Sequence, residues 1–587
     1  MSTPKKSTTK RNKDTFRKIV QWLKRHEKSI IVTILALATV FRVLLALNTP
    51  INIWPEQVYD DNLMQEYALN IRGGNWLGEY NQLTLTKGIT FSVFMAVCNF
   101  LLIPYNLGLV LLWILAVFVV CQAFKPKFGV KSRALLYILL LFAPCMFTTL
   151  ISQRLYRNAL LPAGTLLIFG SFIGLYLRRN KNIKTLIPWS ISAAVSLASY
   201  WFIKEDSIWV LPFIVVISIL CLIFWVRKWF ILRKLKKEAK ELLWPKFLLL
   251  FAPYIFLIVV SVAYSFINYQ SYGVFTTSDK SSGNFAKMIK SMMIIDDPNR
   301  QGTDVWITKN MFEKIYDNSP TFENLKEEVS EIKSWTNDSG ESLGDLVIWK
   351  IRLAMSNKGY YKDAKQADDF SKKVADELSD AFNDGRLTKD SKIHISAQMR
   401  GMDFEDIING LGKQAEWFCL LSVYDDTGIN NYRSSGDAAR LRQIGNFTNS
   451  LYVPAESEYR DIKAINYSNG IVKIYQKLSM VVNILSGISL VIALIILVRR
   501  IIQKDYKDFD LVAAWLGIAL SVLLLLMEVS LFLGYLDDEA INTFRNFYCA
   551  SAMPLLQLLK YIPILFVTKE GWSYLSTKKM LKTGKNK

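Results

Sequence analysis

Asp60 and Asp61 stand side by side in a short polar stretch, and Lys87 follows before the next apolar run begins. These are the groups that a proton transfer and a phosphate call for. A carboxylate can take the proton of an incoming hydroxyl, and an ammonium can steady an anionic leaving group. Asp60 is the candidate base, and Asp61 beside it would orient a neighbour or a bound ion. Arg154 and Arg157 in Gln153-Arg154-Leu155-Tyr156-Arg157-Asn158, and Arg545 further on, are additional phosphate candidates. Guanidinium meets phosphate bidentately where lysine acts as a point charge. Glu205 and Asp206, in Lys204-Glu205-Asp206, connect two apolar runs without turn residues. They would position Lys87 or an arginine, or simply neutralise their own cluster. Tyr67, with Trp54, Trp76 and Tyr80, suits either stacking on a sugar or the aromatic belt of a membrane interface. The plain alternatives are an N-cap role for the Asp60-Asp61 pair ahead of a helical pattern over Asn62 to Ile71, and a snorkelling role for Lys87.

The elements that must carry these residues are membrane helices. Of 587 residues, 51% are hydrophobic, and several separate runs reach the roughly 20 apolar residues that a hydrocarbon core requires. The formal charge of +21 gathers in both tails and in short loops between apolar runs. That is a positive-inside distribution, and nucleic acid is excluded as its cause. Cys98, Cys121, Cys145, Cys221, Cys419 and Cys549 lie mostly inside apolar runs and form no CxxC pair. With only His26 and His394 available, a histidine-ligated metal site is not expected.

Loop charges set the topology. The basic tail 1–28 is cytoplasmic, and Ser29 to Leu47 is a retained first span rather than a cleaved signal. The first outer loop is 48–104, and within it Gly88 to Ile103 reads as a half-helix at the outer surface, because a full crossing would put Lys125 to Arg133 outside. The module 29–267 then alternates through Tyr105 to Phe124, Ala134 to Leu150, Ala159 to Leu177, Thr185 to Ile203, Ser207 to Val226 and Phe247 to Ile267, with Arg227 to Lys246 as an interfacial helix. Residues 268–477 form a mainly helical extracytoplasmic domain. Spans within 478–567 and a basic tail 568–587 return the C-terminus to the cytoplasm. The fold class expected is an α-helical polytopic membrane protein of about ten transmembrane helices, with an outer juxtamembrane half-helix. Glu528 and Lys560 are costly in lipid and are expected to face protein or water.

A first span followed by an outer loop with an acidic pair, an alanine eight residues on from Asp60 (Ala68), a nearby Gly73 and a lysine opening a juxtamembrane helix (Lys87) resembles the GT-C superfamily of membrane glycosyltransferases. The likeness is to the protein O-mannosyltransferase and aminoarabinose transferase families, and it covers roughly the first seven spans. It implies a polyprenyl-phosphate sugar donor, an extracytoplasmic acceptor and a first-loop aspartate serving the acceptor nucleophile. The chain departs from that pattern at Gly88-Ile89-Thr90, where relatives often carry prolines, and at Asn158, which stands near the expected second-loop acid. A divalent cation at Asp60 and Asp61 stays open, with metal-independent transfer the expectation.

The expected function is therefore a glycosyltransferase of the cytoplasmic membrane, serving envelope polysaccharide biosynthesis with its site facing outside. A transporter or flippase of lipid-linked precursors would favour inverted repeats and broken midplane helices. A membrane scaffold with a partner-binding outer domain is the third class. Convergence of Asp60, Lys87 and the second outer loop in one outward cavity would favour the enzyme.

Overall fold

The computed structural model describes residues 21–22 and 25–584, apart from 235–242, 299, 301–303, 395–398 and 458–460. The chain is 71% helical, and the described residues form no strand, only isolated bridges. It is an α-helical polytopic membrane protein. Among the described residues, eight helices are long and apolar enough to cross a bilayer.

The first half builds the bundle from α1 (Glu27–Leu47), α2 (Asp61–Gly73), α3 (Thr90–Phe100), α4 (Tyr105–Ala123), α5 (Val130–Leu141), α6 (Leu161–Leu177), α7 (Ile183–Trp201), α8 (Leu211–Lys234) and α9 (Trp244–Tyr272). α6 is its axis, buried on nearly every side. It packs on α4 and α7 through small residues. At Gly174 a Cβ would stand 1.9 Å from the Trp189 ring, so only glycine lets α6 and α7 approach this closely.

Two of the ten expected crossings fall short of the spanning pattern. α3 spans 11 residues, too short to cross, as expected for Gly88 to Ile103. The run Ala134 to Leu150, expected to span, stops at Leu141. Pro144 cannot donate a backbone N–H and pushes Ala143 into the extended region, at φ −60° and ψ 133°. A 3-10 turn (Pro144–Met146) and a π turn (Thr149–Gln153) follow. Their irregular backbone is tolerated because protein surrounds it: Arg42 donates to the Met146 carbonyl at 3.2 Å, and Thr149 N–H to the Gly428 carbonyl at 3.1 Å. α7 has 19 residues and an internal Pro188, and is less apolar than the eight.

The insertion 268–477, expected to lie outside, contains α10 (Asn284–Met293), α11 (Lys309–Asn318), α12 (Leu346–Asn357), α13 (Ala364–Asn383), α14 (Phe404–Val423) and α15 (Ala438–Thr448). Met292, Trp306, Ile315, Ile351 and Leu378 centre its own core. Arg352, fully buried, locks this domain to the first outer loop. It donates to Gln82 O at 2.7 Å and to Asp279 Oδ2 at 2.9 Å. The chain then returns through α16 (Lys463–Ile502), α17 (Phe509–Phe532), α18 (Asp538–Tyr548) and α19 (Ala552–Gly584). α16 is 40 residues long, about 60 Å at 1.5 Å per residue, so it starts well before the bilayer and the boundary drawn at residue 477 falls inside it. α8 likewise continues past Val226 to Lys234, and the remainder of the proposed interfacial segment lies mostly outside the described residues.

Candidate functional site

Asp60 occupies the N-cap position of α2, but its side chain makes no capping bond. The carboxylate turns instead toward Lys87. Lys87 Nζ donates to Asp60 Oδ1 at 2.7 Å, and the Tyr156 hydroxyl donates to the same oxygen at 2.9 Å. Among the described residues Oδ2 has no hydrogen-bond donor, and the Arg154 guanidinium stands 3.9 Å away. Asp60 keeps 37% of its side chain exposed, so this second oxygen is open to a ligand. Burial works against its ionisation, but Lys87, Arg154 and Arg157 together hold the carboxyl well below the usual range.

Asp61 has the opposite fate. Its side chain is fully buried, and Arg154 Nε donates to both carboxylate oxygens at 3.0 Å. Burial, reinforced by the charge on Asp60, pushes its pKa up to about 6 against the pull of Arg154. With both oxygens engaged, Asp61 positions Arg154 and does not reach a substrate. Arg154 in turn is committed to Asp61 and wedged against the rings of Tyr156 and Phe547, at 4.8 and 5.1 Å from their centroids.

The broken end of α5 delivers this second loop. Arg157 NH1 reaches both oxygens of Glu205 at 2.8 Å, and Arg157 Nε donates to the Tyr156 hydroxyl at 3.1 Å. Glu205 also accepts the backbone N–H of Gly88 at 2.7 Å. Arg157, Lys87 and Lys280 outweigh its burial and hold its pKa down to about 2. This accounts for the departure at Gly88: a proline would have no N–H to give, and a Cβ would meet the Phe202 carbonyl oxygen at 2.3 Å. The Lys204-Glu205-Asp206 cluster thus divides. Glu205 faces the site, while Asp206 pairs with Lys204 at 2.8 Å.

Three expected residues stand apart from this cluster. Tyr67 lies on the buried face of α2 and donates its hydroxyl to Leu83 O at 2.8 Å. It braces the loop and presents no ring to a sugar. Asn158 donates to Phe547 O at 2.6 Å, tying the second loop to α18. Arg545 is spent on Asp425 and Asp426, at 3.2 and 2.9 Å, which leaves no fork for a phosphate and gives those two aspartates a structural task beyond turn formation. Glu528 and Lys560 are not paired either: Lys560 donates to Ser422 O at 2.6 Å.

The structure also brings in residues the sequence did not single out. Tyr156 is the hub between Asp60, Lys87 and Arg157, and its place between two arginines was the available signal. Lys280, from the outer domain, lies over the Trp349 ring at 4.4 Å, with Lys87 over the same ring at 5.5 Å. Lys87, Arg154, Arg157 and Lys204 each pair with a carboxylate, whereas among the described residues Lys280 has no hydrogen-bond acceptor. Burial first, and then the neighbouring Lys87, lower its pKa to about 8. Tyr59 meets Trp349 and Trp335 edge-on at 5.1 and 5.6 Å, completing an aromatic corner beside the two lysines.

Among the described residues, no group of three or more His, Cys, Asp or Glu side chains could hold a metal ion. The arrangement offers one carboxylate oxygen without a hydrogen-bond donor among the described residues, with the Lys87 ammonium on its sister oxygen, the Arg154 guanidinium 3.9 Å away, and Lys280 across the Trp349 ring from Lys87. Compared with known proteins, the chain matches no family model, no curated protein and no solved structure.

Proposed function

We propose that this protein is a membrane glycosyltransferase that moves a sugar from a polyprenyl-phosphate donor to an extracytoplasmic acceptor, as its resemblance to the GT-C superfamily implies. The observation that carries this reading is one network from four separate segments: Asp60 paired with Lys87, Arg157 paired with Glu205, Tyr156 hydrogen-bonded to Asp60 and Arg157, and Lys280 sharing the Trp349 ring with Lys87. Such a cluster suits an anion and a hydroxyl together. The acceptor hydroxyl donates to Asp60 Oδ2 while its oxygen attacks the anomeric carbon. The bond from that carbon to the phosphate oxygen breaks, and the proton passes to Asp60. The departing lipid phosphate is already ionised and needs cations rather than an acid.

Lys87 links the two halves of this step. Paired with Asp60 it keeps the carboxylate a weak base. As charge builds on the phosphate, Lys87 is drawn to it and Asp60 becomes the stronger base when the proton arrives. Lys280, Trp349 and Tyr59 place the outer domain over the donor, which gives that domain a part in substrate binding. The site faces outside on this reading, with both termini in the cytoplasm of a cell whose envelope glycans are the acceptor or its products.

Mass analysis of envelope glycans and lipids from cells with and without the protein tests the assignment. A species lacking one glycosyl increment, restored by the native chain but not by Asp60→Asn, is expected. Identical glycan profiles together with altered distribution of a lipid-linked precursor across the membrane would replace the transferase with a flippase.

A further inference from the structure

Residues 268–477 contain no apolar run of spanning length, yet one helix of that insertion lies against the membrane bundle. α14 packs on α17, α16 and α19 through Gln414, Trp417 and Leu421. On another side it exposes Phe404 (73%), Ile408 (47%), Leu411 (51%) and Phe418 (38%). Ala415 and Cys419 are exposed between and beside them. Spacings of four, three, four and three place these residues in one stripe along the helix. Glu405, Asn409 and Glu416 are also exposed and form a separate polar edge, roughly a quarter-turn or more round the axis at about 100° per residue.

The neighbours of α14 fix its depth. α17, one of the eight candidate spans, shows Leu516, Leu520 and Leu523 outward along its first half. Beyond Leu523 no side chain of α17 is exposed. α14 covers that end, with Gly410 beside the Ser530 hydroxyl and Met402, just ahead of α14, clustered with Leu531. At its other end Ser422 accepts Lys560 of α19 at 2.6 Å through its carbonyl and Asn483 of α16 at 3.4 Å through its hydroxyl. Both partners lie within helices that cross the bilayer. α14 therefore stands where lipid would otherwise cover α17, and its apolar stripe continues the lipid-facing surface.

We propose that α14 is seated in the bilayer leaflet on the side of the outer domain, with Phe404, Ile408, Leu411, Ala415 and Phe418 against acyl chains and Glu405, Asn409 and Glu416 among headgroups. Its partner is the lipid itself. The outer domain is then anchored at a point distant in sequence from α9 and α16. The turn after α14, Tyr424-Asp425-Asp426, is held at a constant height, and with it Arg545 and α18. This inference does not depend on the transferase reading.

Cys419 is the exposed cysteine, and the other five are buried, so it accepts a nitroxide label in the otherwise native full-length protein. The protein is reconstituted in phosphatidylcholine and phosphatidylglycerol vesicles. Collision of the label with oxygen, which partitions into lipid, is compared with collision with a water-soluble nickel chelate. Two further labels, at Leu411→Cys and Glu416→Cys in a Cys419→Ser background, sample the stripe and the polar edge. Labels at 411 and 419 are expected to favour oxygen several-fold over the label at 416. Equal nickel accessibility at all three positions would put the stripe in water and overturn the proposal. Shielding of 411 and 419 from both reagents would do so too, because a protein partner or a second copy would then be the occupant.

Discussion

The two adjacent aspartates differ in every property that chemistry uses. Asp60 is partly exposed with one oxygen on Lys87 and Tyr156, whereas Asp61 is buried with both oxygens on Arg154. Asp60→Asn is expected to lower transfer by a factor on the order of a hundred to ten thousand while leaving expression and donor binding near normal. Asp61→Asn should instead release Arg154 and reduce stability, seen as a lower melting temperature with a smaller loss of turnover per folded molecule. Near-normal turnover by Asp60→Asn in a membrane transfer assay would remove the proposed base. Lys280 sets a pH dependence. Its pKa, lowered to about 8 by burial and Lys87, means it is charged below that pH and neutral above it. Binding of polyprenyl phosphate to the free protein should therefore weaken as pH rises through about 8. Lys280→Met should weaken binding at pH 7 and flatten this profile, while Lys280→Arg should flatten it with the charge retained. An unchanged profile in Lys280→Met would assign the titration to another group.

At the scale of elements, the site depends on two irregularities. Pro144 ends α5 early and lets the chain unwind into the loop bearing Arg154, Tyr156 and Arg157. Gly88 lets the segment ahead of α3 lie against the Phe202 carbonyl, with its N–H on Glu205. Gly88→Ala has no room for its methyl, since the nearest atoms are backbone. The variant should lose about 1–3 kcal/mol of stability by overpacking, and its donor affinity should fall because Lys87 and Glu205 are both displaced. Thermal unfolding and donor binding measured on the same preparation check this. Native values for both would mean that the loop adjusts and that Gly88 is not a constraint.

At the scale of the molecule, Arg352 joins the outer domain to the first outer loop with its guanidinium fully buried between Asp279 and the carbonyls of Gln82 and Thr84. Arg352→Ala leaves Asp279 buried without its partner, a loss of roughly 3–5 kcal/mol for a broken buried pair. The expected readout is faster proteolysis of the outer domain while the membrane bundle stays intact, and unchanged proteolysis would show that other contacts suffice. Topology is testable on the same scale. Cysteines placed over Lys125 to Arg133 should resist an impermeant thiol reagent applied from the outer side. Reaction there would turn the cluster around Asp60 to the cytoplasmic face and end its assignment to an extracytoplasmic acceptor.

The sequence by itself determined the membrane class, the places of most apolar helices and the short helix α3, because apolar runs are local quantities that need no partner. It also marked Asp60, Lys87, Arg157 and Glu205, since charges bordering a bilayer stand out against their neighbours. Only the tertiary structure decided how those charges pair. It separated Asp60 from Asp61, gave Arg545 to Asp425 and Asp426, and turned Tyr67 and Asn158 to bracing. Lys280 and Trp349 were illegible because they lie about two hundred or more residues from Asp60 in an insertion of ordinary polar composition. The apolar stripe of α14 was hidden for a related reason: spaced every three to four residues and diluted by charges, it never forms the continuous run by which a membrane helix is read.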